Sequence, residues 1–369
     1  MSWVLAEAQS IYQRALEDLE KLVAISSPSG DKEGADKMMA ALTLLLPKEA
    51  TVTKIKSSTE GADDLLVSLK GSGSKKLLLL GHLDTVFSHQ EYRPFRQEGD
   101  LIYGSGTYDM KGGLVIACGV LRAFAREPKL YQEILLLVVC DEEKRDVPLI
   151  HRTAFAVDSV LCFEGGEMTK HDAVVIRRKS ANSLNIRASG QASHSGAAIE
   201  HGRSALEALA LLIPRLSVLA FAEDEELTVT PTQFHAGDAI NIVPAYGFLQ
   251  FDVRAFSEQT ARNVLAMVPD ELKGVKLEAE LIERFPAMDA RHSAEKVLEE
   301  VERILDRPVL GLSRGGSADI NWFKAPVTID GLGPKGQGDH GPDEHVLLSS
   351  FLSQSELALA CALTCLRSA

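Results

Sequence analysis

Residues 77–87 read LLLLGHLDTVF, and this stretch decides how the chain is understood. Four consecutive leucines show no polar alternation, so they ask for burial on both faces, as in a strand of a helix-covered parallel sheet. Directly after them come His82 and Asp84, an imidazole and a carboxylate delivered where burial stops. Ligands of open parallel sheets bind beyond the carboxyl ends of the strands. The residues that follow each apolar run are therefore candidates for a site.

Three further runs end in the same way. EILLLVVC (133–140) is followed by Asp141, Glu142 and Glu143, and SVLCF (159–163) by Glu164. APVTIDGLG (325–333) leads into a glycine-rich loop carrying Asp339 and His340. Asp109 adds a fifth contribution from YGSGTYDMKGG (103–113), just ahead of the helical pattern GGLVIACGVLRAFARE (112–127). A single strand-end histidine or a DEE turn is ordinarily a solvated loop feature. Together on one side of one sheet, such carboxylates repel one another unless cations sit among them. Imidazoles and carboxylates without a thiolate suit zinc, cobalt or manganese. The set is too large for one ion, whereas two ions sharing one carboxylate use all of it.

Composition narrows the function classes. The chain has 369 residues, 45% hydrophobic, which is enough for a large core and long enough for two domains. With 52 acidic against 39 basic residues the net charge is −13, so neither a nucleic acid nor an anionic membrane is an expected partner. The five cysteines lie in apolar runs without CxxC spacing, as small buried side chains in a reducing compartment do. The N-terminal residues 1–25 alternate acids and apolar residues at helical spacing, the pattern of a surface helix rather than a signal peptide. No apolar window reaches the length of a membrane span. A cytoplasmic protein is expected.

Apolar strands alternating with helices predict an α/β fold with a mainly parallel, helix-flanked sheet. The middle of the chain differs. Residues 177–285 read strand, helix, strand, strand, helix, strand, with half-buried alternation in LQFDVRAF (249–256). That order predicts a ferredoxin-like α+β domain inserted between catalytic segments 1–176 and 286–369.

The stretches GHLDTV, GSGTYDMKGG, DEEK, CFEGG, GQASHSG, INIVPA, DVR, GGSAD and HGPDEHV span nearly the whole chain. In kind and order they resemble the zinc-dependent exopeptidases and deacylases that include glutamate carboxypeptidase (carboxypeptidase G), acetylornithine deacetylase and succinyl-diaminopimelate desuccinylase. The resemblance implies a zinc aminopeptidase-like catalytic domain holding two Zn2+ ions, with Co2+ or Mn2+ as substitutes. It implies His82, Asp109, Glu143, Glu164 and His340 as metal ligands, with Asp109 bridging. Glu142 becomes the general base, and Asp84 the carboxylate that orients His82. His194 of the inserted domain would stabilise the oxyanion in the opposite subunit of a homodimer. Arg254 and Asn241 would bind substrate, and Gly315 and Gly316 would let main-chain N–H groups approach it. The chain departs from the family pattern at Arg145 and Asp146, after DEEK, and at Tyr108, beside the bridge. His345 is a rival to His340 that the motif order disfavours.

The expected activity is hydrolysis of an amide bond beside a free carboxylate in a small peptide or N-acyl amino acid, most nearly that of a glutamate-releasing carboxypeptidase. A deacylase or dipeptidase is the alternative. A non-catalytic or metal-storing relative would have lost the base or a ligand, and this chain retains them all.

Overall fold

The computed structural model describes residues 2–56, 62–143, 155–217 and 227–367. Arg145 and Asp146 lie outside the described residues. The chain divides into two compact units, Met1–Ile176 with Ala290–Ser313 and Trp322–Ala369, and Arg177–Asp289 with Arg314–Asn321. The second unit thus extends past residue 285 and takes in a short later segment, so the chain passes between units four times rather than twice.

In the larger unit, all four apolar runs are neighbouring parallel strands. Glu133–Val139, Lys76–His82, Ser159–Cys162 and Val327–Ile329 lie side by side in that order. Leu77, Leu78, Leu79 and Leu80 are each 0% exposed, and full burial of a leucine contributes about 2 kcal/mol by area. The sheet is completed by two antiparallel strands, Asp64–Lys70 and Thr51–Ile55. The sequence reading missed these, because Thr51–Ile55 is almost wholly exposed and Asp64–Lys70 carries a shorter apolar run.

Helix Ser2–Val23 buries Val4, Ala8, Ile11, Ala15, Leu19 and Leu22, the spacing of one helical face. Helix Lys32–Thr43 is capped by the Asp31 carboxylate, which accepts from the N–H groups of Glu33 and Gly34. Helices Gly112–Phe124 and Ser350–Arg367 are apolar nearly all round and correspondingly buried. All five cysteines are buried and free, and no helix among the described residues is long and apolar enough to cross a membrane.

The smaller unit has the order strand, helix, strand, strand, helix, strand: Ala181–Ser189, Ala205–Ser217, Leu227–Ala236, Tyr246–Ala255, Glu258–Leu265 and Val275–Phe285. Its strands are all antiparallel, with Ala181–Ser189 and Tyr246–Ala255 central, Leu227–Ala236 at one edge and Val275–Phe285 towards the other. Leu184, Ile186, Leu249, Phe251 and Val253 point to the helix-covered face and are buried there with Leu209 and Leu212. The helix from Glu258 ends at Leu265, ahead of Pro269, which disfavours helical backbone at Val268 and offers no N–H.

Candidate active site

The parallel strands set the site. His82 ends its strand, and the two flanking strands run out at the same level, with His82 paired to Val139 and Leu80 to Cys162. Asp141–Glu143 therefore emerge on one side of His82 and Glu164 on the other. The loop after Val327–Ile329 brings in His340, whose φ of 59° lies in the left-handed region.

The five proposed donors converge in two groups that share Asp109. His82, Asp109 and Glu164 offer atoms within 4.8 Å of one another, as do Asp109, Glu143 and His340. Asp109 faces both ways: Oδ1 lies 2.9 Å from His82 Nε2, and Oδ2 lies 3.2 Å from His340 Nε2. His340 Nε2 is also 3.0 Å from Glu143 Oε2, and His82 Nε2 is 3.9 Å from Glu164 Oε1.

The electrostatics of these groups call for positive charge. Burial opposes protonation of His82, yet Asp109, Asp84 and Glu164 outweigh it and hold the imidazole well above its usual pKa. Hydrogen bonds with Asp109 and Glu143 push His340 up to about 11, against some burial. Burial disfavours charge on Asp109, but His340 and His82 keep its carboxyl well below the ordinary range. Glu143 is pushed up by burial, with His340 opposing. Protons on the imidazoles thus occupy places that divalent cations fit, since both groups pair an imidazole with carboxylates.

Asp84 does more than orient His82. His82 Nδ1 lies 3.1 Å from the Asp84 main-chain carbonyl and 3.4 Å from its carboxylate. The carboxylate instead accepts from the main-chain N–H groups of Glu142 and Glu143, each at 3.1 Å, and from the Ser29 hydroxyl at 2.5 Å. One buried carboxylate thereby ties the DEE turn to the GHLD strand end. Sequence analysis did not single out Ser29.

Glu344 was also missed, although it stands within HGPDEHV. It is 3% exposed, and burial pushes its carboxyl up to about 7 against the N–H groups of Asp109, Gly106 and Tyr108 that favour its charge. The Tyr108 ring packs where Gly165 has no side chain, since a Cβ there would fall 2.1 Å from the ring. This residue, a departure from the family pattern, thus braces the chain just after Glu164. The rival His345 turns away, with Nδ1 2.8 Å from the Asp343 carbonyl and its ring beside Tyr103. A third group, Asp64, Cys140 and Asp141, offers no thiolate: burial raises the Cys140 pKa, and its Sγ donates to the Ala62 carbonyl.

The remaining candidates belong to the smaller unit. His194 and Asn241 lie on adjoining segments, joined by a bridge from His194 to Ile242 and a 3.0 Å hydrogen bond from the Ser195 N–H to the Asn241 carbonyl. His194 Nδ1 accepts from the N–H groups of Gly196 and Ala197, so Nε2 carries the ring hydrogen. Arg254 is half-buried and donates from Nε to Asp252 at 2.8 Å. Around Gly315 a Cβ would meet nothing within 4 Å, and around Gly316 only Arg178, so neither is required by internal packing.

Comparison with known proteins identifies the family and the fold. The model for Peptidase family M20/M25/M40 matches residues 78–364. Carboxypeptidase G2 of Pseudomonas sp. (strain RS-16) is 31% identical, covering 94% of this chain and 88% of that protein. Succinyl-diaminopimelate desuccinylase of Acidiphilium cryptum is 26% identical, covering 79% and 84%. Among solved structures, a tripeptidase from Staphylococcus aureus superimposes with a TM-score of 0.79 at 21% identity, covering 97% of this chain and 99% of that one. A Bacillus subtilis protein described as a dinuclear metal binding peptidase superimposes with a TM-score of 0.72 at 12% identity, covering 98% and 99%.

Proposed function

Because the chain belongs to Peptidase family M20/M25/M40, and is on that footing a metallo-exopeptidase or amidohydrolase, we propose that it hydrolyses an amide bond next to a free carboxylate, as a glutamate-carboxypeptidase-like exopeptidase. The observation that carries this reading is the two-faced placement of Asp109 between His82 and His340. The narrower choice of a carboxypeptidase is supported by the 31% identity to carboxypeptidase G2, against 26% for the desuccinylase.

His82, Asp109 and Glu164 would hold one Zn2+ ion, and Asp109, Glu143 and His340 the other, with Co2+ or Mn2+ able to replace them. When bound, the ions would supply Lewis acidity and make water more acidic. Glu142, placed by its main-chain bond to Asp84, takes the proton of the attacking water and passes it to the leaving nitrogen. His194, with hydrogen on Nε2, donates to the developing oxyanion. Arg254, engaged by Asp252 only through Nε, presents its other N–H groups to a substrate carboxylate, and Asn241 adds a donor. Gly315 and Gly316 leave space for a ligand against main-chain N–H groups.

The protein is proposed to act in the cytoplasm, in keeping with five free cysteines, and as a homodimer through the smaller unit, His194 serving the opposite subunit. Supporting the dimer, edge strand Leu227–Ala236 pairs on one side only among the described residues, and Phe234 (39%), Leu206 (40%) and Leu211 (44%) are exposed nearby in the chain.

The test is turnover of a panel of peptides ending in glutamate, N-acetyl and N-succinyl amino acids and dipeptides, with and without zinc. Zinc-dependent cleavage of the glutamate-terminated members is expected. Preference for N-acyl amino acids assigns a deacylase instead, and no turnover of any amide by zinc-loaded protein contradicts the proposal.

A further inference from the structure

One buried carboxylate near the centre belongs to neither donor group. Glu344 Oε2 accepts from the Gly106 N–H at 2.8 Å, while Oε1 accepts from the N–H groups of Tyr108 and Asp109 at 2.9 and 3.0 Å. Three amides of one turn aimed at one carboxylate form a charge-assisted cradle, turned inside out: here the side chain is the anion and the main chain the receptor. Gly106 takes φ +79°, which only a residue without a side chain adopts readily, and the Lys111 stem lies directly beneath it. The turn is thereby gripped from one side by Glu344 and packed from the other by Lys111.

Glu344 stands four positions after His340, on the same glycine-rich loop. That loop turns tightly, with the Gly341 N–H bonded to the Gly338 carbonyl at 2.9 Å. A single segment therefore delivers one imidazole to the centre and also seizes the backbone of the carboxylate the two donor groups share.

We propose that Glu344 is a positioning residue: by holding the main chain of turn 106–109, it fixes the direction in which Asp109 presents one oxygen to each donor group. The inference rests on the dinuclear reading given above. It carries a consequence that a ligand of a single ion would not show. Loss of His340 or Glu164 weakens one ion, whereas loss of Glu344 weakens both together, because Asp109 serves both.

The test uses zinc alone, in chelator competition with Glu344→Gln and Glu344→Ala proteins. Substitution of residues that orient metal ligands typically costs ten- to a hundredfold in affinity. Both ions are expected to weaken in Glu344→Gln by about tenfold or more, and further in Glu344→Ala, which removes every acceptor. The absorption spectrum of cobalt-loaded Glu344→Gln should differ from that of wild type, a signature that a merely stabilising side chain would not move. Amide exchange in metal-free wild type gives an answer that needs no variant: the N–H groups of Gly106, Tyr108 and Asp109 should already be protected. Wild-type affinity for both ions in folded Glu344→Gln, or free exchange of those amides, overturns the inference. Failure of wild-type protein to bind two zinc ions would instead overturn the dinuclear reading beneath it.

Discussion

The two units hold most of their candidate site residues in different ways, His340 of the larger unit, 53% exposed, being the exception. In the larger unit His82 and Asp84 are each 1% exposed and sit in a web of short polar contacts that also fixes Glu142, Glu143 and Asp109. In the smaller unit His194 and Asn241 stand on exposed segments, and Ile240, beside Asn241, is 101% exposed. The difference fits the roles proposed for each set. A cluster of like charges survives only if burial, imidazoles and main-chain N–H groups define every position before an ion arrives. Groups that meet a substrate or a second subunit need access, and loops on a rigid sheet provide it.

Substitutions should therefore separate the metal-holding residues of the larger unit from the residues proposed to act on substrate, which are Glu142 and those of the smaller unit. The largest effect is expected for Glu142→Gln, which should lower kcat by about 10²–10⁴-fold while leaving the zinc content of the purified protein unchanged. His194→Ala should lower kcat by about 10²–10³-fold, again with full zinc occupancy. Zinc loss in that variant, measured by elemental analysis, would break the division between the units. Asp84→Asn should act through the metal, weakening zinc by about ten- to a hundredfold in chelator competition, because it disturbs the amides of Glu142 and Glu143 together with His82. Ser29→Ala removes one hydrogen bond to Asp84, and should cost about 1 kcal/mol in urea unfolding with only a slight change in zinc affinity.

What was legible in the sequence had continuous or local signatures. LLLL and ILLLVV can be buried only between helices, and the polar residues after them had to emerge at one edge of the sheet. The strand Asp64–Lys70 and its neighbour escaped because antiparallel strands at the rim carry less apolar sequence. Ser29 and Glu344 escaped for a different reason. Each acts through hydrogen bonds to residues 55 and more than 230 positions away, and no local periodicity records such a partner. The pairing of His194 with the Asn241 segment is likewise a product of tertiary folding, since so short a contact between exposed loops leaves no pattern in either.

The shared role of Asp109 is reached most directly by titrating metal-free protein with zinc and counting the ions held per chain, in wild type and in Asp109→Ala. Two ions in wild type, with both affinities collapsing in the variant, is the predicted result. A wild-type chain that holds a single ion, or an Asp109→Ala chain that still holds two tightly, would contradict it.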